Sequence, residues 1–242
     1  MSGHNKWSQI KHKKAATDAK KSNVFSKLAR QITLAAKESG GDSGSNANLR
    51  MLMEKAKAVN MPITNIEKAV KKGTGELEGA EIKGFLYEAY GPDGIAILIE
   101  GATDSTNRTS AEIKHLLAKM GVKWAESGSV SYLFDRKGVI GIDLTENKIN
   151  KDSLEMTAID AGAQDIRENG DFLEILTAPD MLDLVLDGLK EQKVPVTDSF
   201  LGFVPKMELP LPDEKATERL EKIIQQIEEH DDVNEVFTNA KL

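Results

Sequence analysis

After "MELPLPD" at residues 207–213, the chain has room for one helix and one strand, and no other feature constrains the fold as strongly. The helix is legible from Leu220, Ile223, Ile224 and Ile227, which fall on one face at a 3.6-residue period, and "NEVFTN" reads as the strand. A lone strand leaves its backbone N–H and C=O groups unpaired, so it must join a sheet laid down earlier. That sheet begins at residue 82. "GFLYEAYG" and "GIAILIEG" are strand-like runs joined by Pro92-Asp93-Gly94, a turn sequence. The helix "NRTSAEIKHLLAKMG" follows, with Ile113, Leu116, Leu117 and Met120 on one face, and then the strand "GSVSYLFD". Residues 82–135 plus 206–242 are therefore expected to form one central α+β domain.

The interruption has its own pattern. Residues 136–205 read as strand "GVIGIDL", a helix near 151–161, strands near 164–168 and 171–177, a helix over 180–192 and a strand over 196–204. This is the β-α-β-β-α-β order of a ferredoxin-like unit. Residues 1–75 are helical throughout. Phe25, Leu28, Ile32 and Ala35 mark one helix, with Ser22 or Asn23 as its cap, and Leu49, Leu52, Met53, Ala56 and Val59 mark a second. A third is predicted to start at Thr64, paired with Glu67 in a capping box, and to stop at Gly73. The fold class is α+β: an N-terminal helical domain followed by two α/β-sandwich-like domains, one ferredoxin-like and inserted in the other.

Charge divides the chain along the same line. Residues 1–75 hold 15 Lys+Arg against 5 Asp+Glu, a balance of +10, while residues 76–242 hold 17 against 34, a balance of -17. The two make up the net -7 of the whole. The excess is densest in "GHNKWSQIKHKKAATDAKK", residues 3–21, with six lysines, two histidines and one acid, Asp18. Lys13, Lys20 and Lys27 are spaced by seven, as are Lys14 and Lys21, which keeps them near one helix face. Lys6, Lys11, His12 and Arg30 extend the set, and Trp7 offers a ring that can stack on a base. A solvated lysine face is the plain reading. Against it, the excess is local, and the acidic remainder already serves solubility. An anionic membrane is disfavoured because the first 21 residues carry too few apolar side chains for an inserting face. Nucleic acid is the expected partner, bound by Lys6, Trp7, Lys11, His12, Lys13, Lys14, Lys20, Lys21, Lys27 and Arg30.

Catalytic chemistry finds little support. With no cysteine, thiolate metal sites, disulfides and a cysteine nucleophile are excluded, and a reducing cytoplasm is the expected location. His4, His12, His115 and His230 lack ligand spacing, and no P-loop, dinucleotide or zinc-protease motif is present. "GDSG" at 41–44 sits in a polar turn between helices, "GTGELEG" reads as a linker, and "NRT" at 107–109 as the start of a helix. No apolar run approaches a membrane span, and no leader segment is read at the N-terminus. The expectation is a monomeric, non-enzymatic protein with no cofactor and no metal.

The blocks "GHNKWSQIKHKKAATDAKKSNVFSKLARQI", "NMPITNIEKAVKKGTG", "YEAYGPDGIAILIE", "TDSTNRTSAEIKH" and "GSVSYLF" with "KGVI" resemble the YebC family, in the family's order and over nearly the whole chain. The resemblance implies a three-domain α+β architecture with a helical N-terminal domain, and no enzymatic activity. It also implies a regulator that binds DNA or, as in the related mitochondrial translational activator of cytochrome c oxidase, acts on translation at the ribosome. DNA or ribosomal RNA would then be the target, with ribosomal or transcription-machinery proteins as further partners. Two positions depart from the family pattern: Ser105 stands where Asn is usual after "TD", and Gly121-Val122 replaces a Gly-Gly turn ahead of Trp124.

Overall fold

The computed structural model describes residues 18–145 and 151–241. The chain divides into two compact units. One comprises Leu133–Pro210 with the residues from Asn239 on; the other runs up to Tyr132 and resumes over Leu211–Thr238.

In the second of these, the first described elements are the helices α1 (Asp18–Ser39), α2 (Ala47–Ala58) and α3 (Ile63–Gly73). Leu28, Ile32, Ala35 and Ala36 of α1 meet Leu49, Leu52 and Ala56 of α2 and Ile66 and Ala69 of α3 in one buried cluster, with Phe25 packed against it. Two local expectations need correction. Helix α1 runs back to Asp18, so Ser22 is inside it, its carbonyl accepting from Ser26 Oγ at 3.0 Å. Nor does Thr64 cap α3. Pro62 holds the N-cap position without a side-chain bond, because its fixed φ presets the first turn and leaves no amide to satisfy.

Gly73, the last residue of α3, lacks a side chain for a reason of space. A Cβ there would lie 2.4 Å from the Thr33 carbonyl oxygen and 2.7 Å from Ala36 Cβ, so a bare backbone lets α3 press against α1. Thr33 Oγ1 adds a bond to the Ala69 carbonyl at 3.0 Å. Asn46 ties α1 to α2 with every polar atom used: Oδ1 accepts from the Leu49 amide, and Nδ2 donates to the carbonyls of Ala35 and Gly40.

The same unit contains β1 (Lys83–Tyr90), β2 (Ala96–Thr103), α4 (Thr106–Lys119) and β3 (Lys123–Ala125). Strands β1 and β2 form a hairpin in which Asp93 (φ 57°) and Gly94 (φ 77°) supply the left-handed turn that matches strand twist. The sheet order is β3-β1-β2-β9, antiparallel throughout, where β9 is Val233–Thr238. The last long strand thus pairs with β2, Phe237 opposite Leu98 and Val236 opposite Ile99.

Ahead of β9 lies the amphipathic helix whose face the sequence marks, here Glu214–Glu228. It is capped by Asp213, whose carboxylate accepts from the Ala216 amide at 2.8 Å. Its Leu220, Ile223, Ile224 and Ile227 are buried, each burial worth about 1.5–3 kcal/mol. At the far edge of the sheet, Trp124 lies against Tyr87 (ring centroids 4.9 Å apart) and under the Lys114 ammonium at 4.5 Å. Gly121 takes the positive φ (71°) of the preceding turn, whereas Val122 is simply buried.

The other unit holds β4 (Phe134–Asp143), α5 (Lys151–Asp160), β5 (Asp165–Asn169), β6 (Phe172–Thr177), α6 (Leu182–Glu191) and β7 (Asp198–Pro205). Its sheet order, β5-β6-β4-β7, all antiparallel, is the ferredoxin-like arrangement. Leu154 and Ala158 of α5 and Leu182, Val185, Leu186 and Leu189 of α6 are buried. A short parallel pair, β8 (Leu209–Pro210) and β10 (Ala240–Lys241), completes it. The helix Glu214–Glu228, between β8 and β9, is α7. Among the described residues, no helix is long and apolar enough to cross a membrane.

Candidate nucleic-acid interface

Of the ten residues expected to meet nucleic acid, Lys6, Trp7, Lys11, His12, Lys13 and Lys14 lie outside the described residues. Lys20 and Lys21 fall on the first turn of α1. Lys27 and Arg30, further along α1, face the chain's own tail. Lys27 Nζ donates to the carbonyl of Glu228, the last residue of α7. Arg30 Nη1 donates to the Asp231 carbonyl at 2.6 Å, and its Nη2 lies 3.4 Å from Asp232 Oδ1. Carbonyls left open at a helix C-terminus, and the negative end of its dipole, draw cations in this way.

Asp232 is the centre of a buried polar cluster. Its Oδ2 accepts from Thr109 Oγ1 (2.6 Å), Arg108 Nη2 (2.9 Å) and Thr103 Oγ1 (3.0 Å), and its own carbonyl accepts from the Ala102 amide (3.0 Å). Burial alone would push this carboxyl up. The bonds from Thr109, Arg108 and Thr103 and the charge of Arg30 outweigh that and hold it below the usual carboxylate range. The segment "TDSTNRT" is therefore a receptor for the tail. Thr103, Arg108 and Thr109 grip Asp232, while Ser105 contributes a backbone amide to Thr103 Oγ1 (3.0 Å) and no side-chain cap. His230 extends the cluster, with Nε2 3.1 Å from Glu112 and Nδ1 accepting from the Asp232 amide.

A second carboxylate plays a similar part at the other edge. Glu88, 3% exposed, accepts from the amides of Gly128 (2.7 Å), Val130 (2.6 Å) and Ser131 (3.0 Å). Burial works against its ionised form, but these three bonds prevail and keep it below the ordinary range.

Three further cations of the helical region differ in their surroundings. Lys37 is neutralised by Glu81 at 2.6 Å. Lys68 and Lys72, one turn apart on α3, instead border a groove of about 400 Å³ between α1 and α3, across from Arg30. Phe25, Ala29, Met61 and Ala69 give it an apolar lining. Among the described residues, neither lysine makes an ion pair. The sequence carries a signal for them, the i, i+4 spacing in "IEKAVKKG", but not for the groove, which needs α1 and α3 to pack.

A cationic helical region joined to an interrupted four-stranded sheet, with a ferredoxin-like unit in the interruption, defines a class of multidomain α+β protein. The chain belongs to the TACO1/YebC family. Residues 5–76 match the model of the TACO1/YebC protein N-terminal domain, and residues 82–240 that of the TACO1/YebC second and third domain. It is 52% identical over 242 residues, its full length and 95% of the relative's, to a protein of Petrotoga mobilis named "probable transcriptional regulatory protein". It is 49% identical, over all of this chain and 94% of the relative, to a protein of Thermosipho africanus with the same name. A crystal structure of a conserved hypothetical protein from Aquifex aeolicus shares the fold, with a TM-score of 0.87 and 39% identity, covering 97% of this chain and 96% of that one.

Proposed function

We propose that the chain is a nucleic-acid-binding regulator of gene expression that meets the phosphate backbone with its basic N-terminal region and works by binding rather than catalysis. The observation that carries this reading is the local surplus of +10 over residues 1–75 in a chain of net charge -7. At physiological salt, attraction beyond about 8 Å is largely screened, so a phosphate responds to the lysines that touch it and not to distant acids. The acidic remainder limits promiscuous binding and leaves its surface to protein partners. The names of the relatives support transcription as the setting, and duplex DNA is the target proposed for it.

A second setting, RNA in translation, draws on the groove between α1 and α3, an open space of about 400 Å³ with room for an unpaired base, the form in which RNA sequence is mostly read. Crosslinking of the protein in cells, followed by sequencing of the bound DNA and RNA, tests the proposal. Enrichment of promoter DNA supports the first setting and of ribosomal RNA the second; recovery of neither contradicts both.

A further inference from the structure

We infer that the groove between α1 and α3 is a binding site for one unpaired nucleotide of a single-stranded nucleic acid, with Lys68 and Lys72 on its flanking phosphates. The inference rests on the proposed nucleic-acid reading and goes beyond it, because it moves the specific contact from the opening lysines to a second surface.

Three properties point to this occupant. The first is chemistry. The lining from Phe25, Ala29, Met61 and Ala69 is apolar, as the face of a base requires, while Lys68, Lys72 and Arg30 stand on the walls. Stacking tolerates any base, and charge tracks the backbone, so the combination selects a single strand without fixing its sequence. The second is size. An open groove of about 400 Å³ has room for one base-sized group on its apolar floor. The third is preorganisation. Arg30 is held by the Asp231 carbonyl and Asp232, so that wall of the groove is fixed before any ligand arrives. The Lys72 chain is steered as well: it lies over Gly79, where a Cβ would come within 2.9 Å of Lys72 Cε. Ser26 and Asn65, both exposed, supply hydrogen-bonding groups at the mouth.

The test uses the full-length protein and fluorescence anisotropy with four probes of equal length: oligo(dT), oligo(U), a DNA duplex and an RNA duplex. Two variants separate charge from shape. Lys68→Ala with Lys72→Ala removes two phosphate contacts and should make the log-log salt slope for single strands shallower by about 1.4, at about 0.7 per contact. Ser26→Leu narrows the mouth without adding an aromatic ring and leaves every charge in place. It should weaken single-strand binding by about five-fold or more, the lower end of one lost stacking interaction, with duplex binding unchanged. Circular dichroism checks that both variants keep their helices. Equal effects on oligo(dT) and oligo(U) assign the site to single strands in general, and a larger effect on oligo(U) assigns it to RNA. Wild-type binding with no change in either variant overturns the groove alone. Failure of the wild type to bind any probe overturns the nucleic-acid reading and the groove with it.

Discussion

Arg30 on the first helix and Asp232 ahead of the last strand form an ion pair, Nη2 to Oδ1 at 3.4 Å, with the carboxylate side chain 4% exposed and the guanidinium 24%. One end of the chain is thereby fastened to the other within the same compact unit. The same carboxylate takes Thr103, Thr109 and Arg108 from the β2–α4 junction. A single side chain thus serves two fastenings, helical region to tail and tail to sheet.

Asp232→Ala should cost about 1.5–3 kcal/mol, because it removes the charged acceptor that Arg108 shares with the buried hydroxyls of Thr103 and Thr109. Chemical denaturation monitored by circular dichroism measures it. A loss below about 0.5 kcal/mol, the size of an ordinary surface substitution, would mean that the cluster does not hold the tail.

Gly73→Ala is the second case. Alanine is the better helix former by about 1 kcal/mol. Here its Cβ would meet the Thr33 carbonyl oxygen at 2.4 Å, which neither helix can yield without moving, so overpacking of about 1–3 kcal/mol should win. The expected result is a lower denaturation midpoint with an unchanged helical spectrum at low denaturant; a raised midpoint contradicts the packing.

The pH dependence follows from Asp232 and Glu88, both held below the ordinary carboxylate range. A depressed carboxyl contributes stability that is fully present above its unfolded value, about 3.9 for Asp and 4.3 for Glu, and is lost as pH falls through the folded value. Stability attributable to the pair should be flat from pH 6 to 8 and decline below about pH 4. Glu88→Gln keeps acceptor capacity for part of the three-amide site but loses the charge. It should lower stability at pH 7 by about 1.5–3 kcal/mol and flatten the decline below pH 4. A melting temperature whose acid decline is the same in the variant would assign that decline to other groups.

The elements that the sequence showed well are those whose pattern is set by one face. The Leu220–Ile227 stripe, the turn at Asp93-Gly94 and the β-α-β-β-α-β order each follow from local periodicity or from a backbone conformation open to few residues. What stayed hidden depended on residues far apart in the chain. Lys27 shares the seven-residue spacing of the other candidates and Arg30 their charge, and only the packed tail shows that they face the carbonyls of Glu228 and Asp231. Gly73 is the last residue of its helix, as the sequence indicates, but the clearance it gives against Thr33 and Ala36 carried no local signal. Thr64 and Glu67 have capping-box spacing, yet Pro62 starts that helix. Asp232 carried no signal, because its partners, Thr103, Arg108 and Thr109, lie over 120 residues away.

The return of the chain is testable by truncation. Ending it after Pro205 removes α7 and β9, and with them the partner of β2 and the Leu220, Ile223, Ile224 and Ile227 face. Ile97, Leu98 and Ile99, fully buried in the intact protein, would lose that cover. Hydrogen exchange should show β1 and β2 unprotected in the truncated chain and the ferredoxin-like strands β4 and β6 still protected. Full protection of β1 and β2 would contradict the interrupted-sheet account.

If the opening lysines carry the polyanion affinity, the salt dependence of binding will change when they are removed. Lys13, Lys14, Lys20 and Lys21 are changed together to Ala in the full chain, and affinity for a DNA duplex and an RNA hairpin is measured across a salt series. Each neutralised phosphate contributes about 0.9 to the log-log slope on duplex DNA. The account predicts a large loss of affinity and a slope shallower by about 2–4, with the helical spectrum preserved because alanine favours helix. A folded quadruple variant that keeps both its affinity and its salt slope would contradict it and leave the opening stretch a solvated surface.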